Sequence, residues 1–447
     1  MTSNLIISSV LIRPKIVFAV LYLIFLISLP SVSMAGFRAS VVKVDITPTD
    51  SQYLLGYGPR KSNGVHDKIY HRIVMMDDGV TQFVIVSSDL ALVSPSEYDK
   101  VAARLQKEQK ISPVNLWWTF THTHSAPEVG PPGLPSVFLG DRYKHDFDKV
   151  YTDLVEQKLI DGIAEARKKL TPAKLGTGWG FASANINRRA RLADGKITLG
   201  MNPDGPVDRR IGLIRLEKED GSLLTLIANY AMHGTVFAAV EEISADGPGI
   251  VAEYVEEKLG VPMLYINGAA GNIAPLYSQF DQPNGNRVLP QFKVMLGDKI
   301  IKANKDILAM TSDVKLRTST LIVETPRKAG MGWTDDMVNY TRTTKEGVNL
   351  VKLPVRFLKI NEDVAIWSAP LELFCEISNE IRDRSTFPFT FYFGYGNGWL
   401  GYLLTEKEYA QGGYETTVTP YSPKAGQDLT DAVMNYLQGE MKKPNQD

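Results

Sequence analysis

The sequence predicts an α/β fold of the mixed α+β kind, in which packed mixed β-sheets are flanked by helices. Short runs rich in β-branched and aromatic residues recur along the chain and have the length of strands. Helical patterns lie between several of these runs, but two or three strands sometimes follow one another directly. That order favours a mixed sheet, or two packed sheets, over a doubly wound parallel sheet. The sequence has no internal repeat of about 20–50 residues, which excludes a solenoid.

The elements follow in a definite order. The predicted strands are 41–46, 82–87, 116–120, 211–216, 223–230, 263–266, 316–323, 364–367 and 389–393. The predicted helices are 96–109, 146–170, 249–259, 298–308, 373–384 and 428–441. The helix over 146–170 has spaced apolar residues and a basic end at Arg167, Lys168 and Lys169, which suits the negative end of the helix dipole.

Four loops are rich in glycine and proline, at 56–64, 127–135, 268–275 and 394–401. Such loops are either surface turns or backbone that faces a ligand. Two of them flank the candidate metal ligands described below, which favours the second interpretation for those two.

Residues 1–35 are predicted to be a secretory signal peptide. Arg13 and Lys15 precede the almost wholly apolar run 16–29, and small residues occupy the two cleavage positions before Gly36. An uncleaved anchor is the alternative, because the apolar run is long. No later segment has the roughly 18 apolar residues that a membrane span needs. The cleaved chain is therefore expected to be secreted or periplasmic, with no stable membrane span.

The remainder, residues 36–447, is expected to form a single domain, because no linker divides it convincingly. The chain has 49 basic and 50 acidic residues and a net charge of −1, without a basic run, so a nucleic-acid partner is not expected. Cys375 is the only cysteine, which rules out an intrachain disulfide, and it is interpreted as a buried apolar residue. The motifs G-x-S-x-G, H-E-x-x-H and G-x-x-x-x-G-K-[ST] are all missing. The sequence assigns no oligomeric state.

The most informative segment holds His122 and His124, directly after the apolar and aromatic run 115–120. Residues two apart on a strand point the same way, so both imidazoles are aimed at one place. A metal site is one interpretation, and two polar residues at a strand exit is the other. His66 is interpreted as structural, and the remaining histidines, His71 and His145, are expected to face solvent.

Three further candidate ligands follow strands elsewhere in the chain: His233, Glu372 and Tyr402. Each has a simple structural explanation when taken alone. A histidine at a strand end is often a satisfied core group, a carboxylate in a first helical turn suits the helix dipole, and a tyrosine packs readily against a loop.

Six groups of short motifs occur in order between about Phe37 and about Tyr421. They are Leu55-Gly56-Tyr57-Gly58 with Gly64-Val65-His66, Thr121-His122-Thr123-His124-Ser125-Ala126-Pro127, Asn187-Arg188, Tyr230-Ala231-Met232-His233-Gly234-Thr235 with Ile243-Ser244-Ala245-Asp246-Gly247-Pro248-Gly249, Pro370-Leu371-Glu372, and Gly401-Tyr402 through Glu408-Tyr409 to Tyr414-Glu415. In order and spacing they resemble the motifs of the neutral/alkaline (non-lysosomal) ceramidases. The resemblance implies a ceramidase-like catalytic domain.

The resemblance also implies one Zn²⁺ per chain, held by His122, His233, Glu372 and Tyr402. Imidazole and carboxylate oxygen are ordinary zinc ligands, and a catalytic zinc keeps a position open for water. The phenol is an unusual ligand, although metal coordination favours its deprotonated form.

Catalytic and substrate-binding roles follow from the same resemblance. His124 and Tyr414 are implied to lie near the substrate carbonyl, where donors stabilise developing negative charge. Arg188 and Gly56 match positions that contact the polar head of the substrate. An exposed ion pair is an equally good explanation of Arg188 from the sequence alone.

Two departures from the family pattern affect the function. The family has G-D-V-S-P-N where this chain has Gly271-Asn272-Ile273-Ala274-Pro275-Leu276, so Ala274 replaces a serine that lies near the substrate. A serine nucleophile is excluded at this position, whereas attack by water is not. The chain is also expected to lack the family's carboxy-terminal β-sandwich.

The predicted function is that of an exported zinc-dependent amidohydrolase, in which a zinc-activated water cleaves an N-acyl bond. The substrate is expected to be a small acylated molecule, either ceramide, which is a lipid, or a related compound. Two alternatives stay open, the first because of the replaced serine and the expected absence of the final domain, and the second because of Ala274. One is a zinc-dependent esterase or deacetylase that acts on acylated sugars or other non-lipid substrates, and the other is an inactive exported binding protein of the same fold.

Overall fold

The computed structural model describes residues 36–277, 288–439, 441 and 443, so the predicted signal peptide lies outside the described residues. The strands are β1 Arg38–Asp45, β2 Gly64–Val65, β3 Tyr70–Asp77, β4 Gln82–Ser88, β5 Leu116–Phe120, β6 Thr171–Phe181, β7 Asn185–Arg191, β8 Ile197–Asn202, β9 Arg210–Lys218, β10 Leu223–Tyr230, β11 Glu242–Ile243, β12 Met263–Asn267, β13 Ile273–Pro275, β14 Leu316–Pro326, β15 Thr341–Thr343, β16 Asn349–Ile360, β17 Val364–Ser368, β18 Glu372–Leu373, β19 Phe389–Phe393 and β20 Tyr402–Leu403. The α-helices are α1 Pro95–Gln109, α2 Pro135–Phe138, α3 Lys149–Lys168, α4 Asp246–Leu259, α5 Asp298–Lys305, α6 Cys375–Arg384, α7 Glu406–Ala410, α8 Tyr414–Thr417 and α9 Ala425–Gln438.

Two large mixed sheets form the centre of the described structure. The first has eight strands in the order β12-β10-β9-β6-β1-β3-β4-β5, and the second has the order β14-β16-β17-β19 with β15 paired to β16. Most neighbours are antiparallel, but β4 and β5, β10 and β12, and β17 and β19 are parallel pairs. Smaller sheets join β13 to β7 and β8, β11 to β2, and β18 to β20.

The two large sheets pack face to face. Because successive side chains on a strand point to opposite sides, each strand contributes residues to the core between the sheets and to the core on the other face. Trp117 of β5 lies in the core between the sheets, together with Ile366 of β17 and Phe393 of β19. The next or preceding residue on the strand, such as Trp118 and Trp367, faces the core on the helical side. Strands buried on both faces explain why these segments are continuous apolar runs in the sequence.

Helices cover the outer faces of the sheets. Helix α3 packs on β1 and β3, α4 packs on β12, and α5 packs on β6 and β9. On the second sheet, α9 packs on β14 and on α6. Within the described residues, no helix combines the length and apolar composition that a membrane span requires.

The predicted mixed α/β class with packed sheets and flanking helices is confirmed. The bounds of β5, β10 and β19 agree with the prediction, and each predicted helix is present with ends that shift by a few residues. The long strands that the sequence pattern missed are β3, β6, β7, β8 and β16.

Candidate metal centre

Two chain segments that leave strands of the first sheet bring the predicted histidines together. His122 lies two residues after β5, and His233 lies three residues after β10. A parallel bridge joins Thr123 to Gly234, and the amide of His124 donates to the Gly234 carbonyl at 2.9 Å. A Cβ atom on Gly234 would lie 2.4 Å from the His122 carbonyl oxygen, so this approach requires glycine.

The other two predicted ligands come from the short parallel pair of β18 and β20. Glu372 and Tyr402 are directly opposite each other in this pair, and the Glu372 amide donates to the Gly401 carbonyl at 3.1 Å. Both side chains are buried. The loop after β17 thus delivers a carboxylate to the same place as the two histidines.

The donor atoms of His122, His233 and Glu372 converge. The Nε2 atoms of His122 and His233 are 3.2 Å apart, and Glu372 Oε2 lies 3.2 Å from the first and 3.1 Å from the second. The Nδ1 atom of each histidine lies 2.8 Å from a backbone carbonyl, that of Ala91 or that of Ala270. A carbonyl only accepts, so each Nδ1 carries the proton and each Nε2 presents a lone pair to the centre.

This donor set fits a divalent cation. Glu372 Oε1 accepts a hydrogen bond from Trp399 Nε1 at 2.9 Å, whereas Oε2 is buried and has no hydrogen-bond donor among the described residues. A buried carboxylate oxygen without a donor is costly unless a cation compensates it.

Arg188 connects the centre to Tyr402. Its Nη1 lies 3.1 Å from His233 Nε2, and its Nη2 donates to the Tyr402 hydroxyl at 3.0 Å. Glu415 holds the other side of the guanidinium, with Oε1 at 3.0 Å from Arg188 Nε. Burial opposes the charge of Arg188, but Tyr402 and Glu415 outweigh it, so its pKa is raised. Arg188 is therefore a buried cation and not the exposed ion-pair residue that the sequence left open.

Burial and this cation act on the neighbouring titratable groups. Burial and then the charge of Arg188 lower the pKa of His233 to about 4. Burial raises the pKa of the Tyr402 phenol well above its ordinary value, although Arg188 opposes the shift. Both groups are thus neutral around pH 7 in the surroundings that the chain alone provides.

His124 also lies close to His122 and His233. Its Nε2 is 3.3 Å from His122 Nε2, and potential ligand atoms of His122, His124 and His233 lie within 4.8 Å of one another. Its Nδ1 is buried with no hydrogen-bond partner in the described part of the chain. Burial, with the two neighbouring imidazoles, lowers the pKa of His124 well below its ordinary value. Gly56 makes room for the ring, because a Cβ atom there would lie 2.6 Å from His124 Cγ.

A cleft of about 510 Å³, including its open mouth, leads to this centre. His122, His124 and Glu372 lie at its base, and Gly56 and Tyr414 belong to its walls. The remaining described residues of its lining are mostly apolar or aromatic: Leu55, Tyr57, Ala91, Leu92, Pro135, Leu139, Arg142, Tyr143, Trp399, Tyr402 and Val418.

Ala274 is placed differently from the other predicted site residues. It is fully buried on β13, opposite Ile186 of β7, and is not among the described residues that line the cleft. The neighbouring Ile273 carbonyl accepts a hydrogen bond from the His233 amide at 3.2 Å. The strand that carries Ala274 therefore supports a predicted ligand from behind.

Three residues near the centre were not identified as such from the sequence. Trp399 fixes Glu372, the Tyr395 ring stacks on the His122 ring with centroids 4.3 Å apart, and Glu415 anchors Arg188. Trp399 and Tyr395 lie in the breaker-rich loop 394–401, which was the available signal.

The expectation for two histidines outside the centre is wrong. His71 is fully buried, with Nδ1 at 2.6 Å from Ser88 Oγ and Nε2 at 3.1 Å from the Val155 carbonyl. His145 is half-buried, stacks on Tyr53 with ring centroids 3.5 Å apart, and contacts Glu128. Partners that are distant in sequence bind both ring nitrogens of His71 and one ring nitrogen of His145.

Comparisons with known proteins agree with the motif pattern. The family model of the neutral/alkaline non-lysosomal ceramidases, N-terminal, matches residues 37–285. Neutral ceramidase B from Dictyostelium discoideum is 27% identical over 262 residues, which are 55% of this chain and 34% of that protein. The match thus spans about a third of the length of that curated relative.

Solved structures of similar proteins share the fold. The crystal structure of neutral ceramidase from Pseudomonas aeruginosa has a TM-score of 0.72 and 19% identity, covering 92% of this chain and 75% of that chain. A structure of a ceramidase complexed with C2 gives the same TM-score and identity, with 92% and 76% covered. At this level of identity the likeness establishes the fold.

Proposed function

We propose, from the premise that this chain belongs to the neutral/alkaline non-lysosomal ceramidase family, that it is a zinc-dependent hydrolase of an N-acyl bond, in ceramide or a related acylated compound. The observation that carries the proposal is the convergence of His122 Nε2, His233 Nε2 and Glu372 Oε2 within 3.1–3.2 Å of one another. Two of these three residues, His122 and Glu372, line the cleft.

In this proposal one Zn²⁺ per chain is held by His122, His233, Glu372 and Tyr402. The two imidazoles present unprotonated Nε2 atoms, and the carboxylate offers an oxygen that has no donor in the part of the chain that the structure describes, which is the chemistry of a zinc site. When bound, zinc supplies an activated water nucleophile and polarises the scissile carbonyl.

The protein's own side chains would orient the substrate and move protons. His124 would hold or transfer a proton at its Nε2 atom, which lies next to His122. Tyr414, whose ring meets Tyr402 edge-on at 5.9 Å, would donate to the carbonyl oxygen as charge develops there. Arg188 would hold Tyr402 in place, although it is not among the described residues that line the cleft.

The walls of the cleft support an acyl substrate over a sugar. Leu92, Leu139 and Val418 line it, and Trp399 and Tyr143 add aromatic surface. An apolar wall favours a hydrocarbon chain, because burying it removes apolar surface from water. Gly56 would admit the head group close to the backbone. Ala274 offers no polar atom and lies on β13, outside the described lining of the cleft.

We further propose that residues 1–35 are cleaved and that 36–447 act as one secreted or periplasmic domain. The described chain from Phe37 onward clusters as one compact unit, which supports the domain assignment. Amino-terminal sequencing of the exported protein tests it: a mature chain that begins at Gly36 is expected, and one that retains residues 1–35 would contradict it.

Metal content and turnover measured together test the function. His122→Ala is expected to lose both zinc and hydrolysis of N-acyl sphingoid bases, whereas the control His66→Gln, at a histidine on a separate loop, is expected to keep both. A metal-free His122→Ala protein with full activity would refute the proposal. Preferred cleavage of acetylated sugars would establish the deacetylase alternative, and a zinc-loaded wild type that cleaves no acyl substrate would establish the binding protein.

A further inference from the structure

A second cavity adjoins the cleft on the side of Gly56. Its empty space is about 220 Å³, including its open mouth, and Leu55, Gly56, Arg142 and Tyr143 line both spaces. The His124 ring fills the space that a side chain on Gly56 would take, so the side chains common to the two spaces are those of Leu55, Arg142 and Tyr143. A substrate with its carbonyl beside His124 could place its head group beside Arg142, which lines both spaces.

Arg142 brings a positive charge to this junction that nothing in the described structure neutralises. Its side chain is half-buried and lines both spaces, yet it makes no ion pair or hydrogen bond with any described residue. The nearby residue Lys144 differs, because it pairs with Asp141 at 2.9 Å. An unpaired guanidinium in the wall of a cleft is available to a ligand.

A second guanidinium, that of Arg60, lines the same cavity. Its Nη atoms donate to the backbone carbonyls of Leu55, His124 and Val240, all of which are neutral. Its Nε is buried without a partner in the described part of the chain. The charge of Arg60 is thus fixed in place beside His124 but is not balanced by a carboxylate contact.

One carboxylate, Glu128, is found among the described residues that line the second cavity. Its Oε2 lies 2.9 Å from His145 Nε2, and the His145 ring is in turn held against Tyr53. Burial also raises the pKa of Glu128. Glu128 is therefore engaged by His145, and the two arginines leave the cavity positively charged.

We propose that Arg142 and Arg60 form an anion-binding subsite, so that the preferred substrate carries a negatively charged group next to the scissile bond. This inference rests on the proposed function and names its substrate class: long-chain N-acyl amino acids, with the acyl chain in the apolar cleft and the carboxylate at the arginines. In the reaction, water attacks the carbonyl carbon and the amide C–N bond breaks. The carbonyl carbon gains the hydroxyl group, the nitrogen gains a proton, and a fatty acid and an amino acid are released.

The test compares two substrates that share one acyl chain and differ in charge. N-dodecanoylglycine has the carboxylate, and N-dodecanoylethanolamine replaces it with a hydroxymethyl group. The wild type is expected to favour the glycine conjugate by about tenfold or more in kcat/KM, as one charge-assisted contact allows. Arg142→Gln is expected to reduce this ratio by about tenfold, and Arg142→Lys to restore part of it.

Arg191→Gln serves as the matched control, because Arg191 is exposed and its guanidinium binds Gln411 outside both spaces. The ratio is expected to stay within twofold of the wild type in this variant. A wild type that cleaves both substrates equally, or an Arg142→Gln protein with an unchanged ratio, would overturn the subsite and leave the hydrolase proposal standing. A zinc-loaded wild type that cleaves neither of these amides nor any N-acyl sphingoid base would overturn both.

Discussion

Trp399→Phe should weaken zinc binding without removing a ligand. The indole N–H of Trp399 is the one donor to Glu372 Oε1 in the described structure, at 2.9 Å, and both side chains are buried. Phenylalanine keeps most of the ring, including an edge-on contact with Phe138, but leaves a buried carboxylate oxygen without its partner. A hydrogen bond to a charged group contributes about 1.5–3 kcal/mol, which corresponds to a roughly 10- to 100-fold loss of affinity.

The assay is competition for zinc against a chelator of known affinity, accompanied by thermal unfolding with and without zinc. Trp117→Phe is the matched control, because Trp117 is equally buried but its indole nitrogen has no partner among the described residues. Both variants should unfold at lower temperature, whereas Trp399→Phe alone should show weaker zinc binding and a smaller stabilisation by zinc. Zinc affinity of Trp399→Phe within threefold of the wild type would refute the reasoning.

Three further substitutions test other parts of the account. Gly56→Ala places a methyl group against the His124 ring at a residue with φ of +88°. In steady-state assays kcat should therefore fall about 10- to 100-fold while the zinc content stays unchanged, and an equal loss of zinc would contradict this. Arg188→Gln leaves Glu415 with Arg189 as its remaining ion-pair partner and should lower the free energy of unfolding in urea by about 3 kcal/mol, whereas a change under 1 kcal/mol would be inconsistent with a buried pair. Burial lowers the pKa of His71 from 6.5 to about 4. Between these two pH values the unfolded chain binds a proton at His71 and the folded chain does not, so the stability present above pH 6.5 is lost as the pH falls toward 4. His71→Gln should remove about 2–3 kcal/mol of that loss between pH 7 and 4.5, and identical pH profiles would exclude His71 as its source.

The local sequence pattern predicted a strand correctly where the strand is an uninterrupted apolar run, as in β5 and β19. It missed strands whose residue types are determined by packing against other elements. Strand β6 contains Pro172 and three glycines, which are typical of a loop. In the structure, Cβ atoms on Gly176, Gly178 and Gly180 would lie 2.4–2.7 Å from Met310, Ile307 and Ala303. These glycines let α5 and the chain after it approach the sheet, a requirement that appears only in three dimensions.

The candidate site was predictable as a set of motifs and not as a geometry. His122, His233, Glu372 and Tyr402 are separated by long stretches of chain, and each has an ordinary explanation by itself. Their convergence depends on the Thr123–Gly234 bridge and the pairing of β18 with β20, which no local pattern encodes. The supporting contacts of Trp399, Tyr395 and Glu415 are long-range for the same reason.

The most direct test of the proposed metal centre is anomalous X-ray scattering at the zinc edge from crystals of the zinc-loaded protein. The account predicts one strong peak per chain, within ordinary zinc–ligand distance of His122 Nε2, His233 Nε2 and Glu372 Oε2, with Tyr402 completing the ligands. The absence of a peak there, or full zinc occupancy at a different place, would contradict it.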